Sequence, residues 1–195
     1  FAGVSETLQL TRMYNSVDEG TGAFGLGWSS LLDIRLLLGN EIATFVMNDG
    51  RHLEFPRSGS AWGRAVDANY WLAEPDHEVL PTDLVPSDSQ LVVRDNEGSW
   101  WAFSASGICL GYGVGSGTTV TLTRDAEGRI VLLQHEHGRS LEVEYHNGMV
   151  TAIRSSDGRR IGYEYDEVGR LSDVSREEGN RSYHRNDAAL IDQVT

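Results

Sequence analysis

The sequence predicts an all-β chain, a long antiparallel meander of β-hairpins, and three observations carry the prediction. The first is a ladder of glycines at 98, 107, 117, 128, 138, 148, 158, 169 and 179, which holds nine of the 13 glycines between 98 and 179. A turn about every ten residues leaves about six or seven for each strand, the usual strand length, and no room for a helix. The second is alternation. After Gly138 the apolar residues are Leu141, Val143 and Tyr145; after Gly158 they are Ile161, Tyr163 and Tyr165. Every second side chain is apolar, as in a strand with one wet face. The third is a break in that period. After Gly128, Gly148 and Gly169 the apolar residues come as Ile130 and Leu133, Val150 and Ile153, and Leu171 and Val174. A spacing of three fits either a β-bulge, which re-aims the second side chain inward, or a short strand running into a turn.

A repeat of about 20 residues therefore encodes one hairpin. Nine or ten strands at ~4.8 Å spacing make a sheet over ~40 Å wide, and twisted sheets of that width seldom stay open and flat. The meander is expected to roll or spiral, with Leu, Val and Tyr on one face. The first half is also β-rich. Leu8 to Tyr14 alternates, Leu31 to Leu38 carries Ile34, Leu36 and Leu38 at even steps, and Asn48-Asp49-Gly50 is a hairpin turn leading into Arg51 to Phe55. That last run resembles the later Asp157-Gly158-Arg159 unit. The stretch 56–90 holds all four prolines, Pro56, Pro75, Pro81 and Pro86. It is expected to be a long irregular excursion pinned by Trp62, Tyr70 and Trp71. The chain thus divides into a β-rich leading domain, 1–90, and hairpin repeats, 91–195.

At 195 residues the chain is one domain or two closely joined modules, long enough to bury a core. Sixteen basic residues, all Arg, stand against 29 acidic ones, a net charge of −13. That argues against nucleic acid or an anionic membrane as partner, and no apolar run approaches the ~18–20 residues of a membrane span. The single cysteine, Cys109, excludes an internal disulfide and a Cys-rich zinc site. Without Lys there is no Schiff-base chemistry. The chain starts Phe1-Ala2-Gly3 and is expected to be part of a longer protein.

Motifs for chemistry are weak. His135-x-His137 puts two imidazoles on one face of a strand, but the following glycine makes a turn the better reading, and a metal needs further converging ligands. The remaining His, at 52, 77, 146 and 184, form no H-E-x-x-H pattern. No G-x-S-x-G elbow occurs. The run Gly111 to Gly117 lacks the Lys and helix of a phosphate loop and reads as a loop or kinked strand. Trp100 and Trp101 place one ring on each face of a strand, one in the core and the other on a wall or against a carbohydrate. Acid pairs carry no information in so acidic a chain. No catalytic, cofactor-binding or metal-binding residue is assigned; the chain is expected not to be an enzyme and to need no cofactor.

Tyr165-Asp166-Glu167-Val168-Gly169-Arg170-Leu171 resembles the tyrosine-aspartate (YD) repeat, Y-D-x-x-G-R-L, of Rhs proteins. Leu8 to Ser16, with Arg12, Tyr14 and Asn15, and Phe24-Gly25-Leu26-Gly27-Trp28-Ser29 resemble the segment that precedes those repeats in bacterial Rhs proteins. Other units depart from the consensus. Tyr145-His146-Asn147-Gly148 lacks the Asp and Arg and has a shorter turn, and after Tyr183 an Ala, Ala189, stands where the ladder expects Gly. Such drift suits a motif that serves the shape of a turn. Asp166 is read as a turn residue bonding nearby amides, Arg170 as pairing with carboxylates of the next rung, and Tyr145, Tyr165 and Tyr183 as a packed stripe. The resemblance implies a β-strand spiral wound into a hollow shell that encloses a C-terminal toxin. Such proteins are secreted or lie at the cell surface, often delivered to rival bacteria by a type VI secretion system. The partners so implied are the rest of the parent chain, the enclosed toxin and a secretion apparatus. A cell-surface adhesion module binding glycans is the alternative, and a hydrolase with an acid pair a third reading. Ile191 and Val194 close the apolar pattern, so the last strand is expected to expose an open edge and self-associate. The inner wall is expected to be unfilled, with its apolar surface exposed.

Overall fold

A computed structural model describes residues 8–18, 20–75, 85–115, 118–186 and 190–195; Gly117, His77, Pro81 and Ala189 lie outside them. The chain is 56% strand and 2% helical, so the fold is all-β as the ladder predicts. Near the N-terminus β1 (Arg12–Tyr14), β2 (Thr21–Gly22), β3 (Gly25–Leu26) and β4 (Trp28–Ser30) form two small antiparallel pairs, β1 with β4 and β2 with β3. A four-stranded meander follows: β5 (Arg35–Leu38), β6 (Ile42–Val46), β7 (His52–Ser58) and β8 (Ala61–Trp62). Twelve further strands make one antiparallel sheet in strict sequence order. The first six are β9 (Tyr70–Ala73), β10 (Leu91–Asp95), β11 (Ser99–Phe103), β12 (Cys109–Val114), β13 (Thr118–Arg124) and β14 (Ile130–His135). The rest are β15 (Ser140–His146), β16 (Met149–Ser155), β17 (Arg160–Tyr165), β18 (Leu171–Ser175), β19 (Arg181–Arg185) and β20 (Ile191–Val194).

Two stretches differ from the sequence reading. Leu31–Asp33 is a 3₁₀ turn and not the start of a strand. Ser30 Oγ accepts from Leu32 N (3.2 Å) and donates to Asp33 Oδ2 (2.7 Å), which caps the turn and buries both Leu31 and Leu32. A strand would turn one of the two to solvent. The stretch 56–90, read as irregular, contains the end of β7, all of β8 and β9. Pro56 is accommodated because the short β8 pairs with β7 only from Arg57 onward, while the amide of Arg57 serves the β6 side, so no ladder bond needs an amide at Pro56. β9 belongs to the large sheet because Leu72, buried in the core, registers with Val93.

The eight ladder glycines within the described residues all have positive φ. Most close a four-residue turn: at Gly169 the amide donates to Asp166 O (3.0 Å) and Asp166 N to Arg170 O (2.9 Å). The turn at Gly148 is shorter because Asn147 (φ 51°) and Gly148 (φ 82°) both adopt left-handed backbone, a two-residue hairpin loop.

β-Bulges account for the spacing of three. Register shifts fall at Ala102/Phe103, Thr123/Arg124, Glu144/Tyr145, Glu164/Tyr165 and His184/Arg185. In each hairpin the second strand carries one extra residue: Leu110, Val131, Thr151, Ser172 and Asp192. The extra residue lets both members of each apolar pair face inward, and Ile130, Leu133, Val150, Ile153, Leu171 and Val174 are all buried.

The inner face so formed is covered, which corrects the expectation of an unfilled wall. Phe24, Trp28, Leu31, Leu32, Ile34, Leu36, Phe45 and Phe55 share one core with Val93, Val120, Leu133, Val143 and Leu171. Trp101 joins that side, with its ring 5.3 Å from Phe45. Trp100 packs on the opposite face with Val85, Val92 and Ala102. The glycine run lies largely in strand β12, where Gly111 and Gly113 register with Ala102 and Trp100. Gly111 has Pro86 against it: a Cβ there would approach Pro86 Cγ to 3.1 Å and Val120 O to 2.7 Å.

Gly158 (φ 92°) has open space where a Cβ would stand. Gly158→Val should therefore cost about 1–3 kcal/mol through backbone strain alone, and Gly158→Asn distinctly less. Urea midpoints of the two variants and the parent check this.

Candidate functional site at the junction of the leading segment and the hairpin turns

The YD turn is self-contained. Asp166 Oδ1 accepts from Val168 N (3.1 Å) and Arg170 N (2.8 Å), and Oδ2 from Arg170 Nε (2.7 Å). Partial burial raises its pKa, but the bonds from Arg170 and Val168 outweigh this and hold the carboxyl below its usual range. Arg170 thus pairs inside its own turn, not with the next rung as expected. Asp125 and Arg129 repeat the arrangement, with Oδ1 at 3.1 and 2.9 Å from Glu127 N and Arg129 N and Oδ2 at 2.7 Å from Arg129 Nε. Arg124-Asp125-Ala126-Glu127-Gly128-Arg129-Ile130 is therefore a YD unit with Arg in the place of Tyr, a pattern present in the sequence but not singled out there.

The tyrosines do a separate job. Tyr145 OH donates to Ile130 O (2.9 Å) and Tyr165 OH to Val150 O (2.7 Å). Arg124 Nη2 donates to Cys109 O at 3.1 Å. Each donor reaches back 15 residues, to the first or second residue of the preceding bulged strand. The pairing of β14 with β15 extends only to Leu132 opposite Glu142, and that of β16 with β17 to Ala152 opposite Gly162. Past those points the bulged strand parts from its neighbour, and the side-chain donor meets the carbonyl left behind. Burial pushes the Tyr145 and Tyr165 phenols up, so both stay protonated. Tyr183 does not belong to this stripe. It registers with Val194 as Tyr163 does with Val174, and Arg185 holds the place of Tyr165.

The leading segment crosses these bulged ends, running against the order of the hairpins. Val150 N donates to Ala23 O (2.9 Å), and Gly25 forms an antiparallel bridge with Arg170. Gly25 (φ 91°) lies so close that a Cβ would come within 2.6 Å of Gly169 O. Farther along, Leu36 N donates to Gly107 O (2.9 Å) and Arg35 bridges Ile108. Between these contacts lies a cleft of about 490 Å³ whose walls include Gly22, Asp33, Arg124, Arg129, Tyr145 and Gly148. Burial raises the Asp33 pKa, although Ser30 Oγ and the amide of Ala23 donate to it.

Arg12 is the anchor. Its guanidinium carbon lies 5.1 Å from the ring centre of Trp28, 5.0 Å from Tyr163, 5.6 Å from Phe24 and 5.8 Å from Tyr183. Nη2 donates to Tyr183 OH at 2.7 Å. Two rings come from the leading segment and two from the repeats, and they touch one another: Phe24 with Tyr163 at 4.9 Å and Trp28 with Tyr183 at 5.5 Å. Tyr14 packs against Trp28 at 5.2 Å with the rings tilted by 49°. Asn15 shapes the approach, with its amide donating to Gly27 O (2.8 Å) and its Oδ1 accepting from Val17 N (3.1 Å). Gly27 (φ 75°) leaves no room for a Cβ beside Asn15 O.

All seven residues singled out near the N-terminus therefore meet at, or shape, one junction with the repeats. Residues 1–55 match the family described as Domain of unknown function (DUF6531), and residues 145–181 match the RHS Repeat family. The two matches support an Rhs/YD-repeat family protein. No curated protein matches the chain. Arg12, Phe24 and Trp28 of the cage lie in the first matched region and Tyr163 in the second, with Tyr183 two residues beyond it. No helix among the described residues is long and apolar enough to cross a membrane.

Sequence reasoning missed Tyr163, Asp33, Ala23 and Arg124. Tyr163 was visible as an apolar residue of an alternating strand, but Asp33 and Ala23 act through local and backbone hydrogen bonds that carry no pattern. The other chemical candidates of the Rhs chain stand apart from the junction. Cys109 is buried, and burial pushes its thiol up to about 12. His135 and His137 stack at 5.0 Å, and no group of three or more His, Cys, Asp or Glu converges among the described residues.

Two variants test the junction. Tyr165→Phe strips the Val150 carbonyl of its donor and should cost about 1–2 kcal/mol, measured by denaturant unfolding. Arg12→Met and Tyr183→Leu, combined in a double-mutant cycle, should show a coupling of about 1 kcal/mol; additive losses would mean that the cage does not act as a unit.

Proposed function

We propose that the chain is a wall-and-cap piece of a YD-repeat shell, acting mechanically and not as an enzyme. The shell walls off a toxin or other polypeptide carried by the same parent protein. Rhs repeats generally occur in secreted or cell-surface proteins, and in this reading the parent acts there, in competition between bacteria and with a secretion apparatus as partner. One observation carries the proposal: the leading segment lies across the bulged ends of successive hairpins and fills the apolar face beneath them. A rolled sheet covered in this way satisfies its backbone internally and presents a closed end. The aromatics that an adhesion module would offer to glycans are engaged elsewhere. Tyr145 and Tyr165 bond backbone carbonyls, Trp100 is buried, and Trp101 packs on Phe45 and Tyr70. This favours the wall over the glycan platform.

The last strand supports a continuing sheet. Among the described residues β20 is bonded on one side only, by β19, and Val194 is half exposed. In this reading the next hairpin of the parent covers that edge, and the isolated chain pairs with a second copy of itself there.

Limited proteolysis of the parent protein tests the shell. The region following the repeats should resist cleavage, and Arg12→Ala combined with Trp28→Ala should expose it. Cleavage of the wild-type parent at the rate of the isolated downstream region would overturn the reading. For the edge, sedimentation of the 195-residue chain should show concentration-dependent association that Val194→Lys reduces.

A further inference from the structure

His135 occupies a position that four other turns fill with an oxygen. In the turns that begin at Asp95, Ser104, Asp125 and Asp166, the side-chain oxygen of the first residue accepts the amide of the third, at 2.9, 3.3, 3.1 and 3.1 Å. The turn that begins at His135 has the same backbone closure, with His135 N donating to Arg139 O (2.8 Å) and Gly138 N to His135 O (2.9 Å). Here the acceptor is an imidazole nitrogen: His137 N donates to His135 Nδ1 at 3.0 Å. Nδ1 must carry a lone pair to do this, so the ring is neutral with its proton on Nε2. The residue is 1% exposed, and Nε2 is buried with no hydrogen-bond partner among the described residues. Water therefore has no ready access to a charged ring.

We infer that the His135 turn, which joins β14 to β15, is an acid-sensitive release point in the wall. A proton added at Nδ1 turns the acceptor into a donor and sets N–H against N–H. It also charges a ring stacked 5.0 Å from His137. The charged groups acting on His135 are His137, Glu136 and Arg139, and only Glu136 favours the cation. On the neighbouring β13 the facing groups are Val120, in register with His135, and the carbonyl of Thr119, which accepts from Glu136 N at 3.0 Å; neither titrates. Burial, then His137, hold the imidazole below the ordinary His range in the folded chain. Above about pH 6.5 the ring is neutral both folded and unfolded, and the turn has its full stability. As the pH falls, the unfolded chain takes up a proton that the fold refuses, and stability is lost. The sister turns do not respond in this range: Asp125 and Asp166 have carboxyls held below their usual range, and Ser104 does not ionise. Acid therefore loosens this hairpin selectively.

Long-range ¹H–¹⁵N NMR of the 195-residue chain, titrated from pH 8 to pH 5, reads the ring directly. His135 should show a proton on Nε2 and an unprotonated Nδ1, with a midpoint below those of His52 and His146, both exposed residues. Thermal unfolding supplies the second arm. Between pH 7.5 and 5.5 the wild-type midpoint should fall by roughly 2–4 °C more than that of His135→Asn, whose amide oxygen keeps the turn acceptor without titrating. His137→Ser should raise the His135 midpoint by removing the stacked ring while leaving the acid response in place. A proton on Nδ1 at neutral pH, a His135 midpoint at or above that of the exposed His, or an equal acid drop in His135→Asn would each overturn the inference. Should His135→Asn not fold, the NMR titration of the wild type decides alone.

Discussion

The structure depends on the one extra residue that each hairpin carries in its second strand. Without the bulge, residues three apart would lie on opposite faces, and one of each pair Ile130/Leu133, Val150/Ile153 and Leu171/Val174 would face water. With it, both enter the core and the strand bends away from the next hairpin at that end. The bend leaves a main-chain carbonyl unpaired beside apolar side chains, which costs about 1–3 kcal/mol if unanswered. The answer is a donor on the following hairpin, a hydroxyl at Tyr145 and Tyr165 and a guanidinium at Arg124. Bulge, apolar pair and donor are thus one device, and the tyrosine of the repeat follows from the bulge, not from any chemistry it performs.

The same splayed ends give the leading segment its seat. Its backbone supplies Ala23 O to the amide of Val150, and Gly25 approaches Gly169 more closely than any side chain allows. What fixes it is a cation held in rings. Arg12 Nε is buried with no hydrogen-bond partner among the described residues, and four ring faces supply the compensation that a carboxylate gives elsewhere in this acidic chain. Because Phe24 and Trp28 come from one side and Tyr163 and Tyr183 from the other, neither region can complete the cage alone. That dependence is a physical reason for the two motifs to occur together.

Much of this was legible in the residues, and the failures have identifiable causes. Turn positions were readable because positive φ restricts them to Gly and a few others, and the apolar pairs were readable because burial leaves a period. The identity of the donor partners was not. Tyr165 and Val150 are joined across a gap set by where two strands separate, and separation has no signature in either residue. Arg170 was assigned to a neighbouring rung because a charge gives no direction; the turn geometry delivers it to Asp166 four residues back. The 3₁₀ turn at Leu31–Asp33 was hidden because its cap is a pair of Ser30 side-chain bonds, and the even steps of Ile34, Leu36 and Leu38 drew Leu31 into the strand pattern. Tyr183 was grouped with Tyr165 by residue type, whereas the bulge register aligns it with Tyr163.

The drift among repeats then has a physical meaning. In five turns of this shape the first residue, Asp95, Ser104, Asp125, His135 or Asp166, aims a lone pair at the amide two residues on. The turns that begin at Met47 and Ser155 close the same backbone bonds by other means, so the acceptor reinforces the turn and the consensus letter is free to vary. The variation is not neutral in every condition, because these acceptors differ in the pH at which they stop accepting. A carboxylate tied to Arg keeps its lone pairs to lower pH than a free one, a hydroxyl keeps them throughout, and an imidazole, even one that burial holds below the ordinary His range, loses its own once the turn opens in mild acid. A sheet built from geometrically similar turns is thereby chemically unequal along its length. On the acid-release proposal, where it yields first is set by the residue at a single position and not by the strength of the sheet around it.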